Sequence, residues 1–133
     1  MLSPLPVLLA CATLGLAQTA PAAPPAGYRA VYITSKVDAK FVIVPKTPVK
    51  AGTTIVVQTL TSAPEQQWWL TAGDSKIQLA GTTLCMDAGA KSAWKDMAAV
   101  YLKDCTAAAD DPSQLWNVMA DGRIALKASS PRE

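Results

Sequence analysis

Two short stretches decide how this chain is read: Glu65-Gln66-Gln67-Trp68-Trp69-Leu70 and Gln114-Leu115-Trp116-Asn117. In each, a glutamine stands two residues ahead of a tryptophan, and 48 residues separate Trp68 from Trp116. Self-similarity at such a period marks a fold assembled from repeated supersecondary units. Working outward, the unit ending at Trp116 runs Cys85-Met86-Asp87, then Val100-x-Leu102-x-x-Cys105, then Gln114-x-Trp116. The unit ending at Trp68 runs Phe41-Val42-Ile43, then Ile55-x-Val57-x-x-Leu60, then Gln66-x-Trp68. Cys85 and Cys105 are 20 residues apart, Phe41 and Leu60 are 19 apart, and a Phe41–Leu60 contact is expected where the second unit has its cysteines.

Around these motifs the apolar residues come in short runs, among them Ala30-Val31-Tyr32-Ile33, Phe41-Val42-Ile43-Val44, Val100-Tyr101-Leu102 and Ile124-Ala125-Leu126. Ala51-Gly52, Gly73-Asp74, Gly81 and Asp121-Gly122 punctuate them as turn signals. Many short strands at regular spacing predict an all-β barrel or sandwich. Residues 90–99 and 106–111 are alanine-rich but lack the length and the apolar stripe of a core helix, so both read as loops, with a 3₁₀ turn expected near residues 110–113.

The 133 residues carry 12 Lys plus Arg against 10 Asp plus Glu, a net charge of +2, which argues for one small domain and against a nucleic-acid partner. Histidine is absent, so hydrolytic or metal chemistry would rest on carboxylates alone; the sequence calls for neither a metal nor another cofactor. Residues 1–17 are uncharged and apolar, with Gly15 and Ala17 spaced for a signal peptidase, and read as a secretory signal peptide. Pro4 and Pro6 break the apolar run, which falls short of a membrane span. Residues 18–27 form a Pro/Ala-rich linker, and ordered structure is expected from Tyr28. Cleavage after Ala17 removes Cys11 and leaves Cys85 and Cys105 as a pair, for which an oxidising extracellular location predicts a disulfide.

The pattern of Cys-Met-Asp, an apolar strand, Cys and then Gln-x-Trp resembles the ricin B-type lectin family from about Tyr28 onward. The resemblance implies a β-trefoil built from QxW repeats, three units around a pseudo-threefold axis, each tryptophan filling a shared core. Gln66 with Trp68 and Gln114 with Trp116 are thus expected to be structural, and Trp69, on the opposite strand face, is left free to meet solvent or a partner. Repeat one covers about residues 28–70, repeat two about 71–118, and residues 119–133 only begin a third, at the Asp121-Gly122-Arg123-Ile124 turn. The expectation is a fragment of a longer product or a truncated reading frame.

In the family, the Asp of Cys-x-Asp accepts hydrogen bonds from sugar hydroxyls. An aromatic two residues before the second Cys stacks on the ring, and an Asn-Gln pair at the QxW motif assists. Carried onto the second unit, Asp87 and Gln114 are kept, Lys103 stands at the stacking position and Ser113 at the Asn. Trp94, in a polar loop, and Tyr101, on an alternating strand, are candidate platforms. A lid over the core competes for Trp94, an inward position for Tyr101, and a turn role for Asp87. In the first unit Ile43 stands at the acidic position and Gln58 at the aromatic one, and no sugar binding is expected. The function implied is that of a secreted, non-catalytic module binding glycans, of galactose type or related sugars. The alternatives are a protease inhibitor acting through Pro45-Lys46-Thr47-Pro48-Val49-Lys50, or the binding appendage of a secreted glycoside hydrolase.

Overall fold

The computed structural model describes residues 23–95 and 97–128. The expected signal peptide, the first residues of the linker and the last five residues of the chain lie outside the described residues. Among the described residues the fold is all-β: ten short strands in three antiparallel sheets, with 3₁₀ turns at Pro64–Gln66 and Lys91–Ala93. The turn expected near residues 110–113 is present as hydrogen-bonded turns, Asp111 N–H donating to Ala108 and Gln114 N–H to Asp111.

Each repeat is built from a hairpin closed by a pair of strands. In the first, β2 (Phe41–Pro45) and β3 (Ile55–Thr59) form the hairpin, while β1 (Arg29–Val31) pairs with β4 (Trp68–Leu70). In the second, β7 (Leu84–Asp87) and β8 (Tyr101–Asp104) form the hairpin, while β5 (Gly73–Ser75) pairs with β9 (Trp116–Val118). Strand β6 (Gln78–Leu79) joins the repeats, pairing with β4 on one side and β7 on the other. Strand β10 (Ile124–Leu126) pairs with β9 after the Asp121-Gly122 turn, as the first strand of a third unit.

The core gathers Trp68, Leu70, Ile77, Leu79, Met86, Leu102, Trp116 and Leu126, with Ile43, Ile55, Val31 and others packed against it. A tryptophan buries about 150–250 Å², worth roughly 4–6 kcal/mol as an upper bound, so these two rings are the largest single contributors to this cluster. Their polar atoms are satisfied in parallel ways. Trp68 Nε1 donates to the carbonyl of Ile43 at 2.9 Å, and Trp116 Nε1 to that of Met86 at 3.3 Å. The glutamines do the same for the strand ends. Gln66 accepts from Thr61 N–H at 2.9 Å and donates to Thr59 O at 3.1 Å; Gln114 accepts from Thr106 N–H at 3.0 Å and donates to Asp104 O at 2.9 Å.

These bonds correct the alignment of the repeats by one residue. Thr59 and Thr61 match Asp104 and Thr106, so Leu60 does match Cys105, but Ile43 matches Met86. Across the hairpins Val42 pairs with Gln58 as Cys85 pairs with Lys103. Val42, rather than Phe41, therefore occupies the place of Cys85, and Val44, rather than Ile43, the place of Asp87. A one-residue slip would turn every side chain of β2 to the other face. The burial of Val42 and Val44, like that of Cys85 and Asp87, rules it out. The second hairpin is longer by two residues in its loop, and this concealed the register. Trp69 is a second correction: it is 4% exposed, so both faces of β4 are covered rather than one left to solvent.

Cys85 and Cys105 form the expected disulfide, with Cα atoms 4.9 Å apart. Closing a loop of this length restricts the unfolded chain by about 3 kcal/mol, so the Cys85→Ala/Cys105→Ala double variant is expected to lose about that much in urea unfolding. Gln114 makes two bonds more than Gln66, one to Asp87 Oδ2 at 3.0 Å and one from the Thr106 hydroxyl at 3.3 Å. Unfolding should accordingly show Gln114→Ala more destabilising than Gln66→Ala by about 1–3 kcal/mol, the penalty for one further stranded buried group.

Candidate functional site

Strand β7 ends at Asp87, and the chain turns at Ala88-Gly89, where Gly89 takes φ +78, a conformation suited to glycine. Asp87 is 7% exposed. Its Oδ1 accepts from Gly89 N–H at 2.7 Å and its Oδ2 from Gln114 Nε2 at 3.0 Å. The turn role weighed for Asp87 is thus present in the Gly89 bond. A carboxylate has about four acceptor directions, and these bonds occupy two of them. Gln114, 1% exposed, spends both ends of its amide inside the protein. It lies beneath Asp87 and orients it.

Asp87 opens onto a shallow cleft of about 450 Å³ lined also by Ala51, Gly52, Lys103, Asp104, Thr106 and Gln114. One wall, Ala51 and Gly52, comes from the hairpin turn of the other repeat. It is tied down by Gly52 N–H to Leu102 O at 2.6 Å, Leu102 N–H to Thr53 O at 2.7 Å and Ile55 N–H to Val100 O at 2.9 Å.

Leu102 points into the core, so Tyr101 and Lys103 share the other face of β8. Tyr101 is half-buried beside Gly89, and the Lys103 ammonium stands 5.9 Å from the centre of its ring. Trp94 sits apart from the cleft. It is half-buried against the core cluster, its indole N–H donating to Gly89 O at 3.0 Å, which is the lid arrangement. Ser113 Oγ donates to the same carbonyl at 2.9 Å. Trp94 and Ser113 therefore brace the turn that carries Asp87.

Lys76 extends this network from behind. Its ammonium donates to Thr106 O and, at 2.9 Å, to Thr106 Oγ1, whose hydroxyl bonds to Gln114 Oε1 at 3.3 Å. Burial pushes Lys76 below the ordinary lysine range, while the charges of Asp111 and Asp110 draw it partly back. Sequence reasoning missed Lys76, Thr106, Asp104 and the Ala51-Gly52 wall. The glutamine spacing could have indicated Asp104 and Thr106, the residues flanking Cys105. Lys76 and the wall carry no local signal, since only tertiary packing brings them here.

The first repeat holds the matching cleft, of about 530 Å³, lined by Val44, Pro45, Val49, Gln58, Thr61, Gln66 and others. Where Asp87 stands in one, Val44 stands in the other, so an aliphatic side chain takes the place of the carboxylate. Among the described residues no group of three or more His, Cys, Asp or Glu side chains could hold a metal ion, and no helix is long and apolar enough to cross a membrane.

Comparison with curated proteins and with solved structures returned no match to the chain. The family model described as a ricin-type beta-trefoil lectin domain matches residues 29–131. With this match across both QxW repeats and the strand that begins the third, the chain belongs to the ricin-type β-trefoil lectin domain family.

Proposed function

We propose that this protein is a secreted, non-catalytic carbohydrate-binding module whose ligand site is the Asp87 cleft. The observation that carries the reading is the state of the Asp87 carboxylate. It is anchored through one bond from each oxygen to a fixed donor, and keeps free acceptor directions facing an open cleft. Vicinal sugar hydroxyls are the natural donors for such a group, since charge-assisted bonds to a pre-oriented carboxylate are short and strong. Lys103 adds a cationic donor for sugar oxygens at the position where the family stacks an aromatic. The ligand class is a neutral glycan of galactose type or a related sugar. Secretion is supported by the disulfide, which persists in oxidising compartments. Membership of a lectin family and a histidine-free chain favour binding without turnover.

Calorimetry with galactose-type mono- and disaccharides tests this. Asp87→Ala is expected to weaken binding by about tenfold to a hundredfold, the value of about 1.5–3 kcal/mol for a hydrogen bond to a charged group. Lys103→Tyr, which restores a stacking face, is expected to tighten it several-fold, from about 0.5–1.5 kcal/mol of ring contact. Binding unchanged by Asp87→Ala, in a variant that retains the wild-type unfolding midpoint, would sink the proposal.

A further inference from the structure

Strand pairing makes Lys76 the counterpart of Tyr32. Val31 pairs with Trp68 as Ser75 pairs with Trp116, so the residues that follow them, Tyr32 and Lys76, hold the same place in the two repeats. Both side chains reach the backbone just beyond their hairpin. The Tyr32 hydroxyl donates to Ser62 O at 2.9 Å and accepts from Gln67 Nε2 at 3.4 Å. Neither partner is Gln66, so in the first repeat this position braces the loop without touching the glutamine that closes the repeat. Lys76 donates to Thr106 O in a similar way, but it donates also to the Thr106 hydroxyl at 2.9 Å, and that hydroxyl lies 3.3 Å from Gln114 Oε1.

An ammonium can only donate, and this fixes the direction of every later link. Thr106 Oγ1 accepts from Lys76, which leaves its own hydrogen for Gln114 Oε1. That oxygen already accepts from Thr106 N–H at 3.0 Å, so a single residue fills both of its acceptor directions. The amide nitrogen is then the end turned to Asp104 O, at 2.9 Å, and to Asp87 Oδ2, at 3.0 Å. The bonds thus run one way from a cation to a carboxylate, through a hydroxyl and an amide. Hydrogen bonds aligned in such a chain polarise and strengthen one another. The first repeat lacks both ends of it together, with Tyr32 in place of the lysine and Val44 in place of the carboxylate.

We propose that Lys76 is a positioning residue for Asp87: by directing the Thr106 hydroxyl, and through it the Gln114 amide, it holds the carboxylate in one orientation at the cleft. Lys76 does not line that cleft, so it acts through Gln114 and not by contact with a ligand. Its effect on binding rests on the reading of the cleft as the sugar site, whereas the orientation is a property of the free protein.

NMR of the free full chain tests the orientation. Hydrogen exchange of the Gln114 side-chain amide is expected to quicken by about threefold to tenfold in Lys76→Met, with Gln66, which has no such chain, unchanged in the same spectrum. Lys76→Arg, which keeps a cation and its donors, should recover most of the protection. Calorimetry with a galactose-type disaccharide reads the consequence. Lys76→Met is expected to weaken binding by about threefold to tenfold, and the same change in a Thr106→Val background by less than about twofold, because the hydroxyl link is already cut. Gln114 exchange that does not respond, or that quickens only together with Gln66, would overturn the proposal, as would an equal loss of affinity in both backgrounds. A wild-type chain that binds no sugar, with Gln114 responding as expected, would overturn the reading of the cleft and support the role of Lys76.

Discussion

A buried glutamine amide in the turn before the closing strand, and a buried indole N–H two residues on at the strand's first position, hold each repeat closed. The amide spans the residues on either side of the hairpin's last strand end, and the indole reaches the carbonyl in the middle of the first hairpin strand. Strands of three to five residues cannot be stable as isolated hairpins. Here the apolar area of the tryptophan brings hairpin and closing strand together, and the polar bonds fix their register. Buried groups left unpaired would cost about 1–3 kcal/mol each, so the motif tolerates little displacement.

The site follows from that closure. Because Gln114 must cap Asp104 and Thr106, its remaining N–H is aimed at the end of β7, where Asp87 receives it. The same machinery in the first repeat ends beneath Val44, and its cleft has an apolar floor. One scaffold thus carries two chemically different openings, which set Asp87 against Val44, Lys103 against Gln58 and Asp104 against Thr59 at equivalent positions. The turn bearing Asp87 is further braced by Trp94 and Ser113, both bonded to Gly89.

Much of this was legible in the sequence. The repeated Gln-x-Trp, the cysteine pair and the alternation of short apolar runs led to the fold, the disulfide and the buried roles of Trp68 and Trp116. The register of β2 was not legible: a hairpin loop longer by two residues let Phe41 and Ile43 pass for Val42 and Val44, and only cross-strand pairing separates the two readings. Trp69 was misjudged because alternation predicts one exposed face only when a sheet face is open. Asp87 and Lys103 both line the cleft. Gln114 proved to be a buried support, Trp94 a brace, and Lys76 and Gly52 arrived from distant segments that carry no spacing signal.

The central claim is that these two indole N–H bonds are part of the global fold. Native-state hydrogen exchange of the tryptophan indoles, followed by NMR, tests it most directly. The account predicts that Trp68 and Trp116 Nε1–H exchange only through global unfolding, with one shared free energy, and that the half-buried Trp94 exchanges faster. Exchange of either buried indole through local opening, well below the free energy of unfolding, would contradict it.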